Sequence, residues 1–297
     1  MNHIKDQIRC GAAYRLGLTG KGIGVAVLDT GIFLHRDFDS RVTGFADMVN
    51  GKNFAYDDCG HGTHICGIIG GSGRMSGGRY SGIAPGCDLV MVKVLDRKGN
   101  GYSSDVLAGI SWILERKEKL GIRILNISVG ACSKRGMSEN SALVKGVNRA
   151  WDAGLVVVVA AGNNGPRTMS ITTPGISRKV ITVGCSDDDR EVLVGGNRMV
   201  DYSGRGPTAA CICKPDLVAP GCSVVSCAGR ADKYTIKSGT SMSTPIVSGA
   251  TALLLERYPD MTNKDVKLKF RESCTDIGLP RNQQGWGLLD VEKLVSK

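Results

Sequence analysis

The chain has 297 residues, 42% hydrophobic and 22% charged, the balance of an ordinary globular protein. No run of eighteen or more apolar residues occurs, so no membrane span is expected. The net charge of +10 is spread along the chain, and in ERKEKLGIR (115–123) and KDVKLKFRE (264–272) basic residues alternate with acidic or apolar ones, as on solvated helix faces. No nucleic-acid partner is expected.

The first twenty residues, MNHIKDQIRCGAAYRLGLTG, carry no signal-peptide pattern. Eleven cysteines cannot all pair within one chain. Together these predict reduced thiols and a cytoplasmic protein.

In chain order, nearly continuous apolar runs predict strands at 24–29, 88–95, 122–129, 155–161 and 179–184. Helical patterns at 61–70, 103–119 and 139–153 lie between them, the order of βαβ units around a parallel sheet. CSVVSC (222–227) and KYTIK (233–237) read as a short antiparallel pair. TSMSTPIVSGATALLLERY (240–258) reads as a long buried helix, with Pro245 placed in its first turn. Thr262 and Asp265 are spaced as a capping pair for a further helix. No linker or repeat divides the chain, so a single domain over 1–297 is expected, with a short N-terminal segment of about twenty residues.

The first strand ends in Asp29-Thr30-Gly31, which has three readings. It could be half of an aspartic-protease dyad, the carboxylate that orients a histidine, or a plain turn. A dyad needs a second such loop, and the chain has only one. Three further segments bear on the choice: CGHGTHICGIIGG (59–71), VVVVAAGNNG (156–165) and SGTSMSTPIVSG (238–249). With LDTG, and with YSGIAPG (80–86), NISVG (126–130), YSGRGPT (202–208) and KPDLVAPG (214–221), they resemble the subtilisin-like serine proteases, the subtilases. Within these the sequence is similar to the bacterial intracellular alkaline subtilases.

The resemblance implies an α/β, three-layer fold with a central, mostly parallel sheet covered by helices on both faces. It implies a serine endopeptidase acting on polypeptides through Asp29, His61 and Ser241. Ser241 would attack, His61 would take its proton, and Asp29 would fix the His61 tautomer. Asn163 and the Ser241 N–H would form the oxyanion hole. Two extended segments, Gly99-Asn100-Gly101 and Ser128-Val129-Gly130, would pair with the substrate as strands. Gly130, Ala131, Ala160, Ala161 and Gly162, with Thr172 at the floor, would wall the pocket for the residue preceding the cleaved bond. No acid occurs among them, so a large apolar residue is expected there.

Structural roles compete at each position. Thr240 or Ser241 could serve as an N-cap, Asn163 could be a loop asparagine like Asn164, and His61 with His64 could bind a metal. The three-residue histidine spacing and the lack of a nearby Glu disfavour metal. His64 is expected to be a packed structural histidine, Gly239 to leave room for substrate, and Cys66 to be an inert core thiol. Cys211-x-Cys213 with Cys222 and Cys227 lacks zinc spacing. No cofactor is required by this reading. Calcium is not expected in the loop after the histidine helix, since residues 70–82 contain no Asp, Glu or Asn, although a site elsewhere stays open. Only 28 residues precede Asp29, which leaves open how folding is assisted. A catalytically silent, peptide-binding scaffold is the alternative function, and oligomeric state is not legible.

Overall fold

The apolar runs pair as a sheet. In the computed structural model, which describes residues 1–130 and 139–296, the strands are β1 (Gly24–Asp29), β2 (Val42–Asp47), β3 (Asp88–Lys93), β4 (Ile122–Ile127), β5 (Val156–Ala160), β6 (Ile181–Cys185), β7 (Val192–Val194), β8 (Asn197–Met199), β9 (Leu217–Ala219), β10 (Val224–Cys227) and β11 (Tyr234–Lys237). The helices are α1 (Asn2–Gln7), α2 (Gly11–Arg15), α3 (His61–Gly70), α4 (Ser103–Arg116), α5 (Ala142–Asp152), α6 (Thr240–Arg257), α7 (Asn263–Ser273), α8 (Arg281–Gln284) and α9 (Val291–Val295).

Seven strands form one sheet in the order β2-β3-β1-β4-β5-β6-β9, and every neighbouring pair is parallel. β7–β8 and β10–β11 are separate antiparallel hairpins. Helices α3 and α6 pack together against the central strands, and α4 and α5 pack together against β1 and β5. The sheet is thus sandwiched between two helical layers, as the three-layer expectation requires. Strands β1, β5 and β6 are buried at every position, because parallel strands covered on both faces leave no wet side.

Helix α6 runs through the middle of the molecule. From Thr240 to Leu255 every residue is buried except Ser241. A helix that is apolar around most of its circumference belongs in the core. Pro245 is its sixth residue and lies in the second turn rather than the first, so the Ser241 carbonyl lacks the usual helical N–H partner. Helix α7 opens with the expected capping box, in which the Thr262 side chain accepts from the Asp265 N–H and Asp265 Oδ2 accepts from Thr262. The helix expected from 139 starts at Ala142 because Ser141 caps it, accepting from the Val144 N–H. The strands expected to reach Leu95 and Val129 stop at Lys93 and Ile127, which frees the following residues to form loops.

The first residues are helical and docked. Met1, Ile4, Ile8 and Ala13 share one apolar cluster with Val291, Leu294 and Val295. The Val291 N–H donates to the Ile8 carbonyl at 2.8 Å, and Arg9 pairs with Asp290. No helix among the described residues is long and apolar enough to cross a membrane.

Candidate active site

Four adjacent strands, β3, β1, β4 and β5, end on the same side of the sheet, and the segments that follow them converge there. In a parallel sheet the carboxyl ends of the strands are where the loops are free to build a site. Asp29 is the last residue of β1 and is fully buried. Its Oδ1 lies 2.7 Å from His61 Nδ1 and also accepts the Thr30 N–H at 2.8 Å. That contact fixes the His61 tautomer with the proton on Nδ1, leaving Nε2 as the free base. Burial opposes a charged imidazole here, but the Asp29 carboxylate outweighs it and raises the His61 pKa above its ordinary 6.5.

His61 opens α3, and this placement is dictated by the two glycine-containing motifs together. A Cβ at Gly62 would meet the Gly31 carbonyl oxygen at 2.2 Å, and Gly31 itself has φ +119° with Tyr56 O at 2.1 Å from its missing Cβ. Only glycines allow the two segments to approach so closely. Polar groups then lock them. Thr30 Oγ1 accepts the Gly62 N–H and donates to Asp57 Oδ1, both at 2.9 Å. Asp57 also accepts the N–H groups of Cys59, Gly60 and Thr63 and the Thr63 hydroxyl. Asp57 therefore caps the histidine helix although it lies outside it. Thr30 and Asp57 were not singled out in the sequence; the signal was the carboxylate four residues before His61, next to a helix start with no side-chain N-cap of its own.

His64 lies one helical turn further on and is fully buried. Its Nε2 faces the carbonyls of Val224 and Thr235 at 3.1 and 3.2 Å. Burial pushes its pKa down to about 3, so it is a neutral structural group, as the sequence predicts. Cys66 is buried too, and burial raises its thiol pKa well above the ordinary value, which keeps it an unreactive thiol.

Ser241, Asn163 and His61 face one open cavity of about 600 Å³, whose outer wall is the β7–β8 hairpin with Leu193, Val194, Gly195, Gly196 and Met199. The Ser241 hydroxyl donates to the Ser128 carbonyl at 2.7 Å and makes no bond to His61. Asn163 is held by Thr240: its Oδ1 accepts the Thr240 N–H and hydroxyl, both at 3.0 Å, and Thr240 Oγ1 in turn accepts the Gly162 N–H. With Oδ1 so committed, the amide Nδ2 is left as the donor. A Cβ at Gly239 would meet that Nδ2 at 3.2 Å, and Gly239 has φ +136°. In the structure this glycine makes room for the Asn163 amide. Thr240 was read in the sequence only as a cap; its clasp on Asn163 was not seen.

Gly99, Asn100, Gly101, Val129 and Gly130 surround a second, smaller cavity of about 220 Å³, with Leu95, Val106 and Leu143 behind them. Ser128 is tied down through Asn126, which donates to Ser128 Oγ at 2.9 Å and accepts from Ser248 of α6 at 2.8 Å. Missing Cβ atoms at Gly130 and Gly162 would both run into Thr172, at 2.2 and 2.4 Å, so Thr172 stands between the two segments. Its N–H and hydroxyl both donate to the Ala161 carbonyl. Ala160 and Ala161 are buried behind it. Ala131 lies outside the described residues.

Residues 20–287 match the model of the subtilase family of peptidases. The chain belongs to the subtilase family. It is 42% identical over 283 residues to serine protease AprX of Bacillus subtilis (strain 168), covering 90% of this chain and 63% of AprX. The chain therefore spans less than two thirds of that relative. It is 34% identical over 287 residues to subtilisin BL of Lederbergia lenta, covering 97% of this chain and 96% of the relative. Among solved structures it superposes on Sphericase with TM-score 0.78 and 30% identity, over 92% of this chain and 93% of the other. A cold adapted subtilisin-like serine proteinase gives TM-score 0.75 and 28% identity, over 92% and 90%. With the subtilase family shown, the aspartic-protease reading of Asp29-Thr30-Gly31 ends.

Proposed function

We propose that this subtilase is a serine endopeptidase with Asp29, His61 and Ser241 as its triad, hydrolysing polypeptides through an acyl-enzyme. The observation that carries the reading is the 2.7 Å contact between Asp29 and His61 beside a half-exposed Ser241 on an otherwise buried helix. In this reading the Ser241 hydroxyl turns away from Ser128 and gives its proton to His61 Nε2, both residues lining the same cavity. Attack on the scissile carbonyl then gives a tetrahedral oxyanion, which Asn163 Nδ2 and the Ser241 N–H stabilise. The imidazolium formed is stabilised by Asp29 and returns its proton to the leaving amine, after which water repeats the sequence on the acyl-enzyme.

The substrate lies between Gly99–Gly101 and Ser128–Gly130, paired as an added strand. The chain acts as one peptidase unit over 1–297 in a reducing compartment such as the cytoplasm; the ten described cysteines, all unpaired, support this. The reaction needs no cofactor, and any calcium sits away from the loop after α3. In support, that loop is held by protein groups: Asp37 Oδ1 accepts the Met75 N–H at 2.9 Å and Oδ2 accepts the Tyr234 hydroxyl at 2.7 Å. A peptide library tests the assignment. Cleavage after large apolar residues is expected; a profile dominated by Arg or Lys would reject that preference, and no cleavage of any member would reject the peptidase assignment.

A further inference from the structure

Apart from the triad, the described residues place one group of soft and hard ligand atoms together at a half-open position. Cys185 ends β6, Asp187 follows it, and Cys222 lies in the turn before β10; their Sγ and carboxylate atoms all lie within 4.8 Å of one another. We propose that Cys185, Asp187 and Cys222 bind a divalent cation of the zinc class.

The spacing needs little adjustment. Tetrahedral bonds of about 2.3 Å to sulfur and 2.0–2.2 Å to oxygen put such ligand atoms about 3.5–3.8 Å apart. The carboxylate is held in place: Asp187 Oδ1 accepts the Gly221 and Cys222 N–H groups at 2.7 and 3.1 Å and the Cys185 thiol at 3.1 Å, and this last bond is given up when the thiol loses its proton to bind the ion. The Tyr202 hydroxyl lies 3.2 Å from Cys185 Sγ and 3.1 Å from Cys222 Sγ, placed to donate to a bound thiolate. Asp187 and Cys222 are half-buried, which gives the ion a way in.

The other such group, His35, Asp37 and Cys227, is poorly suited. It is buried throughout, and both His35 ring nitrogens and both Asp37 oxygens already have protein partners, whereas Asp187 keeps one carboxylate oxygen without a hydrogen bond among the described residues. Metal uptake at Cys185 and Cys222 breaks two S–H bonds and forms two metal–sulfur bonds. The two protons leave to the solvent, and no oxidant or reductant is involved.

The site is connected to the catalytic cavity. Cys185, Tyr202 and Cys222 pack with Val192, Val194 and Met199, which belong to the hairpin walling that cavity. A bound ion stiffens the base on which this wall rests.

Cobalt(II) added to the reduced full chain tests the proposal. One ion per chain with a thiolate-to-cobalt charge-transfer band is expected. The band should disappear in Cys222→Ala, weaken about tenfold or more in affinity in Asp187→Asn, and survive in Cys211→Ala/Cys213→Ala. No band in the wild-type chain, or a band that Cys222→Ala retains, overturns the site. Should the variants fail to fold, alkylation of the wild-type chain decides: zinc should slow modification of Cys222 but not of exposed Cys213, and equal rates overturn the proposal. Zinc should also slow amide exchange across residues 192–199, and unchanged exchange there would sever the site from the cleft.

Discussion

Ser241 Oγ donates to the Ser128 carbonyl oxygen at 2.7 Å, so the nucleophile's proton rests on the edge that a substrate strand would use. A peptide N–H pairing with Ser128 takes over that acceptor and releases the hydroxyl towards His61. Binding and activation are thereby joined in one exchange of hydrogen bonds. A substrate N-methylated at the residue before the cleaved bond has no such N–H. Its kcat/KM should fall about tenfold or more, the scale of one lost hydrogen bond. Equal turnover of the methylated and parent peptides would show that Ser128 plays no such part.

Asn163 and Thr240 act in series. Asn163→Ala should lower kcat by about 10²–10³, roughly 3 kcal/mol, with KM little changed, because the donor acts on charge that develops only in the transition state. Thr240→Val removes the hydroxyl that grips Asn163 Oδ1 while keeping the backbone N–H bond. It should cause a smaller loss, again in kcat. Steady-state kinetics on one peptide checks both, and a Thr240→Val loss confined to KM would contradict the clasp.

The Asp29–His61 pair sets the pH response. Since the His61 pKa is raised above 6.5, kcat/KM should climb with pH through a midpoint above that value, as the imidazole becomes a free base. Stability runs in the opposite sense. The pair's contribution is fully present below the unfolded value near 6.5 and is lost as pH rises through the higher folded value. Asp29→Asn should move the activity midpoint down and cost about 10⁴ in kcat. A pH–rate profile with an acidic optimum would contradict these assignments.

Much of this was legible because the chemistry is carried by short segments at the ends of apolar runs. β1 ending at Asp29, α3 starting at His61 and α6 starting at Thr240 are set by local pattern. Edge strand β2, VTGFAD, escaped because it is half-buried and lacks a continuous apolar run. The β7–β8 hairpin carried a Gly195-Gly196 turn signal between Val194 and Asn197 that could have been read, and it walls the catalytic cavity. The clasp of Thr240 on Asn163 and the approach of Cys222 to Cys185 were beyond reach for another reason: they join residues 77 and 37 positions apart. Periodicity does not report such contacts.

Reaction of the folded chain with a fluorophosphonate probe tests the central claim most directly. The account predicts a covalent adduct on Ser241, found by peptide mapping, formed faster as His61 deprotonates and absent in Ser241→Ala. A folded wild-type chain that takes up no probe, or carries it on another residue, would contradict the claim and favour a silent peptide-binding scaffold.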